Sequence, residues 1–367
     1  MLPACLPAWR LRIPTTPPSK SLHGNDYCYC LLVLFATSSQ LSSLISQKHI
    51  GRSWSNMKPT VIDGGFGTQL ASYLGSCVDE DPLWSARMLS THADLVMKVH
   101  LDFLKAGAQL IRTNSYQASV GGFVEHLGLS EVESLELIKK SVQLAQTAVQ
   151  KYKEENDAAP ADIPILGSVG PYGACLHDGS EYFGYEGMQL TLEQLIDWHR
   201  PRIQALDEAG LKVLAVETIP SLLEARAVSH LLKEEFPHLR FWLSFSCKDG
   251  ERISEGTLIK DAAAECWQIA CAQLEAIGVN CVHPAYVSSL LKSIKEANSS
   301  IPLVAYPNSG EQYIAGKGWQ ENGEKVSQFV QEWLPLGTRF VGGCCRTYPR
   351  DIEEILSQVG KISAADP

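Results

Sequence analysis

The fold class this sequence predicts is a single-domain α/β protein, a (β/α)8 barrel, preceded by an N-terminal extension. Three observations predict it. Eight short apolar runs follow one another after Met57, stretches of helical spacing lie between them, and the repeat fills about 300 residues, a size suited to such a barrel.

The runs are residues 60–63, 109–113, 163–169, 212–217, 241–246, 278–281, 301–306 and 339–342. Each is bounded by Gly, Pro or polar residues, as short buried strands are. Between them, residues 130–155, 221–236, 261–276, 285–297 and 323–334 carry apolar side chains three and four apart; Leu135, Ile138, Val142 and Ala145 mark the first. Strands that alternate with helices make βαβ units and a parallel sheet. The competing fold is a doubly wound open sheet, with a G-x-G-x-x-G turn after its first strand. Asp63-Gly64-Gly65-Phe66-Gly67 has its glycines at another spacing, and there is no Walker-type phosphate loop.

Residues 1–57 are set apart by charge. They hold Arg10, Arg12, Lys20, Lys48 and Arg52 against Asp26, a net +4 in a chain of net charge −10. A disordered extension upstream of a second start at Met57 is expected, or an organelle-targeting peptide. A secretory signal built on the apolar residues 27–37 is a third reading; secretion would conflict with a working thiolate. The folded domain is expected to span residues 58–362. Its composition, 45% hydrophobic and 20% charged over the whole chain, is ordinary for a globular protein. The acidic balance and the lack of a Lys/Arg block argue against nucleic acid as partner. No apolar run reaches the roughly 18 residues of a membrane helix. Eleven irregularly spaced cysteines point to a reducing compartment rather than a disulfide scaffold. A cytoplasmic location is expected, unless residues 1–57 address an organelle.

In a (β/α)8 barrel the active site lies at the C-terminal ends of the strands. Asp63 ends the first strand and Arg112-Thr113-Asn114 the second. Gly167-Ser168-Val169 ends the third, Glu217-Thr218 the fourth, Asn280-Cys281 the sixth, Tyr306-Pro307-Asn308 the seventh and Gly343-Cys344-Cys345-Arg346 the eighth. Cys344 and Cys345 are adjacent, so a disulfide between them would be strained. With Cys281 they offer three thiolates and an open fourth position, the pattern of a catalytic zinc site. Three buried core cysteines are the competing reading, and without a C-x-x-C pair the spacing alone does not choose. Asp63 also suits a turn or helix cap, and Glu217 a rim ion pair. Cys77, Cys175, Cys247, Cys266 and Cys271 read as packing residues; Cys5, Cys28 and Cys30 fall in the extension. Lys248 is the one lysine near a strand end, which leaves a Schiff-base barrel enzyme only a weak candidate.

Taken together, Asp63-Gly-Gly-Phe-Gly-Thr, Gly167-Ser-Val-Gly-Pro-Tyr-Gly, Glu217-Thr, Gly278-Val-Asn-Cys281, Tyr306-Pro-Asn-Ser-Gly310 and Gly342-Gly-Cys-Cys-Arg-Thr347 resemble the homocysteine S-methyltransferase family, from about Val61 to Leu356. The resemblance implies a zinc-dependent (β/α)8 barrel with one Zn2+ per chain on Cys281, Cys344 and Cys345, its fourth position taken by the substrate sulfur. It implies that Asp63 and Glu217 hold the substrate amino group. Thr113 would lie by its carboxylate, with backbone N–H groups of the Gly64-Gly65 turn. The substrates implied are small molecules, homocysteine and a sulfonium methyl donor, with methionine as product.

Thr218 and Gln117 stand where the betaine-using branch of that superfamily has tyrosines, which disfavours betaine. The chain also lacks that branch's oligomer-building C-terminal extension, so a monomer or weak oligomer is expected. The cobalamin-dependent relatives are far larger. S-methylmethionine is the preferred donor, S-adenosylmethionine the second, and selenocysteine an alternative acceptor. A catalytically inactive zinc-binding barrel is the contrasting reading. Residues 310–323, with Tyr313 and Trp319, are expected to form a mobile lid after the seventh strand.

Overall fold

A computed structural model of the chain describes residues 58–365, apart from 312, 315–317 and 320–322. The expected extension and Cys5, Cys28 and Cys30 lie outside the described residues.

All eight expected runs become strands. They are β1 Thr60–Val61, β2 Ile111–Arg112, β3 Ile165–Val169, β4 Val213–Ile219, β5 Arg240–Phe245, β6 Leu274–Asn280, β7 Leu303–Tyr306 and β8 Thr338–Val341. Every pairing in this sheet is parallel, in the order β1-β8-β7-β6-β5-β4-β3-β2. The sheet curls until its two ends meet. Ile62 bridges Leu110 in parallel, and Gln109 N donates to Val61 O at 2.8 Å. That seam is one bridge rather than a continuous ladder.

Two apolar layers follow from the curl. Parallel strands are buried on both faces, which is why these runs are near-continuously apolar. The inner faces supply a cluster of their own from residues on or beside every strand, among them Ile62, Leu166, Trp242, Val304 and Phe340. Trp242 fits because Ala215 and Ala276 flank it in register on β4 and β6. Its Nε1 donates to Tyr306 Oη at 3.0 Å, so its one polar atom is satisfied. The outer faces pack beneath the helices in a second, larger cluster.

The helices are α1 Phe66–Leu74, α2 Ala93–Lys105, α3 Val120–Leu127, α4 Glu131–Glu155, α5 Leu192–Glu208, α6 Leu222–Glu235, α7 Ile259–Ala270, α8 Pro284–Ala297 and α9 Pro349–Ala365. Helix α4 starts where the sequence writes a capping box. Ser130 Oγ accepts from Glu133 N, and Glu133 reaches back to Ser130 N at 2.8 Å. Ser130→Ala is expected to lower stability by about 1 kcal/mol, read as a lower urea midpoint at unchanged slope.

Two expected helices differ. Residues 261–276 split: α7 ends at Ala270 and β6 begins at Leu274. Leu274, Glu275 and Ala276 favour helix, but pairing of Leu274 with Phe241 and Ala276 with Trp242 buries them in the sheet, and packing overrides propensity. Residues 323–334 form only short turns of helix, Val326–Phe329 and Val330–Trp333, and Pro335 follows directly, where its missing N–H works against a longer helix. Among the described residues no helix is long and apolar enough to cross a membrane. After β7, Tyr313–Ile314 and Gly318–Trp319 pair as a short antiparallel ribbon within the expected lid.

Candidate metal and substrate site

The C-terminal ends of the strands gather the predicted polar residues, and one residue that sequence reasoning left unassigned joins them. Arg112, at the end of β2, lies between both predicted carboxylates. Its Nε donates to Asp63 Oδ1 at 2.7 Å and its backbone N to Asp63 Oδ2 at 2.8 Å. Its Nη1 donates to Glu217 Oε2 at 2.6 Å, and Nη2 to Gly64 O and Gly343 O. The guanidinium sits over the Tyr306 ring, 4.6 Å from its centroid. All three side chains are buried, with at most 9% exposed. Burial works against charge on Arg112, but Asp63 and then Glu217 outweigh it and tighten its hold on the proton. Burial is also the main influence on Asp63 and lifts its pKa above the usual range, with Arg112 pulling the other way. Two carboxyl groups thus face one guanidinium.

Thr113 occupies the next position, and its hydroxyl is already engaged. Its Oγ1 accepts from Ser168 N at 3.0 Å and lies 2.6 Å from Ser115 Oγ. Ser168 Oγ in turn donates to Glu217 Oε1. Gly65 N, expected to face a substrate carboxylate, instead donates to Thr347 O and Oγ1. Gly65 is needed for a close approach: a Cβ there would collide with Cys344 O.

Cys281, Cys344 and Cys345 come together as predicted, with all three sulfurs within 4.8 Å of one another. In this structure Cys281 and Cys344 are joined as a disulfide. Cys345 remains a thiol, 3.8 Å from Cys281 Sγ, and burial pushes its pKa up to about 11. The adjacency of Cys344 and Cys345 excludes a bond between those two but not one across the rim. Cys281 follows β6 in a left-handed backbone conformation with φ 47°, and Thr218 and Arg346 are also left-handed, each with φ 61°. Side chains seldom adopt that region, and such strain clusters at functional sites. The surrounding bonds hold it in place. Asn280 Oδ1 accepts from Thr218 N at 2.7 Å, and Cys344 N donates to Pro307 O at 2.8 Å.

The loop between β3 and α5 leans over this rim. Tyr182 lies against Cys345, and Tyr116 against Thr218. Glu224 anchors the loop. It accepts from Tyr172 N at 2.7 Å and from Tyr185 Oη, and lies 2.8 Å from His199 Nε2. Gln117 is buried, and its Nε2 donates to Ala174 O of this loop at 2.6 Å. The remaining expected cysteines vary: Cys266 is buried, Cys175, Cys247 and Cys271 half-buried, and Cys77 exposed, which corrects its reading as a packing residue. Lys248 is exposed, which suits no Schiff-base role.

A family model described as Homocysteine S-methyltransferase matches residues 60–359. The chain belongs to that family. It is 44% identical over 326 residues to a betaine-homocysteine S-methyltransferase of Drosophila melanogaster, covering 86% of this chain and 98% of that one. Two solved structures of the homocysteine methyltransferase MmuM from Escherichia coli are similar. The oxidized form aligns with TM-score 0.73 at 38% identity, over 83% of this chain and 97% of that one. The metallated form aligns with TM-score 0.73 at 36% identity, over 87% and 99%. As a member of the homocysteine S-methyltransferase family the chain is a methyltransferase enzyme.

Arg112 was visible in the sequence as the cation at the end of the second strand. Buried carboxylates at the ends of β1 and β4 call for a cation between them, and that signal would have found it.

Proposed function

We propose that this enzyme transfers a methyl group from a sulfonium donor to the sulfur of L-homocysteine, giving methionine, with one Zn2+ held by Cys281, Cys344 and Cys345. S-methylmethionine is the preferred donor and S-adenosylmethionine the second. The observation that carries the reading is the meeting, on one rim, of three cysteine sulfurs with a buried two-carboxylate, one-guanidinium group. The curled sheet is read as a (β/α)8 barrel whose seam is the Ile62–Leu110 bridge.

The donor set fits zinc. Tetrahedral Zn–S bonds of about 2.3 Å set the sulfurs about 3.8 Å apart. Cys281 and Cys345 already have that separation, at 3.8 Å. Cys281 and Cys344 must first be reduced and part to the same distance. The Escherichia coli neighbour occurs in a metallated and an oxidized form, which agrees with a site that alternates between these states. When bound, zinc would supply a Lewis acid that keeps an acceptor thiol, with an ordinary pKa of about 8.5, as thiolate at neutral pH.

The remaining work falls to the chain. Two carboxyl groups share the single guanidinium of Arg112, so their group can take a further cation, and the substrate ammonium supplies it by charge-assisted hydrogen bonds. Thr113 is assigned a supporting rather than a contacting position: it holds Ser168, which holds Glu217. The acceptor sulfur's lone pair attacks the methyl carbon, and the C–S bond breaks toward the donor. The donor leaves as a neutral thioether, so the step needs no general acid.

The name of the fly relative favours a second reading, with betaine as donor. Against it, Gln117 faces Ala174 and Thr218 is held by Asn280, so neither offers an aromatic face to a quaternary ammonium. A donor panel decides. Reduced, zinc-loaded enzyme is expected to methylate homocysteine fastest from S-methylmethionine, more slowly from S-adenosylmethionine and not measurably from betaine, with selenocysteine run beside homocysteine as acceptor. Transfer from betaine at a rate comparable with S-methylmethionine would overturn the donor assignment.

A further inference from the structure

The loop over the rim carries a carboxylate that the reaction as described leaves unused. Glu181 lies on the short helix Ser180–Phe183, next to the Tyr182 that lies against Cys345. Its Oε2 is buried and has no hydrogen-bond partner. Its carboxyl group lies within electrostatic range of Cys345, Tyr116 and Tyr182. A carboxylate oxygen shut away from water without a donor costs free energy unless something positive completes it. Burial raises the Glu181 pKa to about 7; a hydrogen bond from its own backbone N–H pulls the other way, and neighbouring Asp178 adds to the rise.

The placement of the residue is fixed. Glu181 O accepts from Ser246 Oγ at 2.6 Å, which ties the helix to the segment after β5. A Cβ on Gly173 would come within 2.8 Å of Ser180 Cβ, so the two limbs of the loop are in contact. Glu224 then ties the first limb to α5 and α6 through His199, Tyr172 and Tyr185. The helix is thus held in place with the Glu181 carboxyl group within electrostatic range of Cys345, apart from the Asp63 and Glu217 that Arg112 engages.

We propose that Glu181 is the donor-binding residue whose carboxylate faces the sulfonium centre of the methyl donor and gives the site its preference for a cationic donor. The proposal rests on the sulfonium reading above. Positive charge on the donor sulfur is full in the ground state and vanishes as the methyl group moves to the acceptor and the bonding pair returns to the donor. Glu181 thus binds the donor at least as well before the step as during it. Its loss weakens donor binding without slowing the bound complex.

The test is steady-state kinetics of full-length, zinc-loaded wild type and Glu181→Gln, with S-methylmethionine and homocysteine varied in turn. Glutamine keeps the size of the side chain and removes its charge. The expected result is a donor KM raised about 10- to 100-fold, the order for losing one charge–charge contact in a partly desolvated site, at a kcat within about threefold and an acceptor KM within about twofold of wild type. Glu181→Asp is expected to recover part of the donor affinity. A donor KM within about twofold of wild type, or an acceptor KM raised in step with it, overturns the assignment while the sulfonium reading stands. A wild type that takes methyl from no sulfonium donor overturns both.

Discussion

Arg112→Met is expected to destabilise the protein by about 3–5 kcal/mol, the largest effect of any single side chain considered above. Methionine has a comparable reach and apolar bulk, so the loss reports charge and hydrogen bonds rather than a cavity. The substitution strands Asp63 and Glu217 in a buried site with no cation between them. It also leaves Gly64 O and Gly343 O without their donor. A lone buried charge costs several kcal/mol, and a carboxylate so placed takes up a proton instead. The variant should therefore recover part of its stability as pH falls and the carboxylates are protonated, the reverse of an ordinary salt-bridged acid. Urea melts at neutral and mildly acidic pH check both. A loss below about 1 kcal/mol would mean that the three groups are solvated and contribute as surface pairs do. Arg112→Lys should fall between wild type and methionine, since a single ammonium cannot reach two carboxylates and two carbonyls at once.

How much of this was legible in the sequence depended on the range of the force involved. The strands were legible because burial on both faces writes an apolar run wherever a strand lies. Residues 274–276 were not, because their propensity is helical and only the partner strand β5 makes them extended. The three cysteines were legible as a group because each follows a strand end, and strand ends share a rim. The bond between Cys281 and Cys344 was not, since strand order says which residues are near one another but not which sulfur faces which. Asp63 and Glu217 were legible as polar residues in apolar company. Their link through Arg112 joins residues 49 and 105 positions away and exists only once the sheet has curled. Glu181 left no mark, because it sits in an irregular loop where neither period nor spacing carries information.

Cys344→Ala is expected to keep the fold and lose at least about 100-fold in methyl transfer, since even residues that only orient a ligand to a metal cost 10- to 100-fold when removed. Cys344 is half-buried on a turn whose backbone is fixed independently, by Cys344 N to Pro307 O and Gly343 N to Asp63 O. Alanine preserves those bonds, so the melting temperature should change little against reduced wild type. The same site predicts a dependence on redox state. Chain purified without reductant, with Cys281 bonded to Cys344, should take up no zinc and show no transfer. After reduction it should take up about one zinc per chain and become active, as thiolates are the metal's ligands. Metal analysis beside activity on the same preparations checks this. An active, reduced sample free of zinc would refute the metal assignment. Unfolding on mild chelation would make the ion structural rather than catalytic. Full activity in Cys344→Ala would remove Cys344 from the chemistry and overturn the three-cysteine metal assignment.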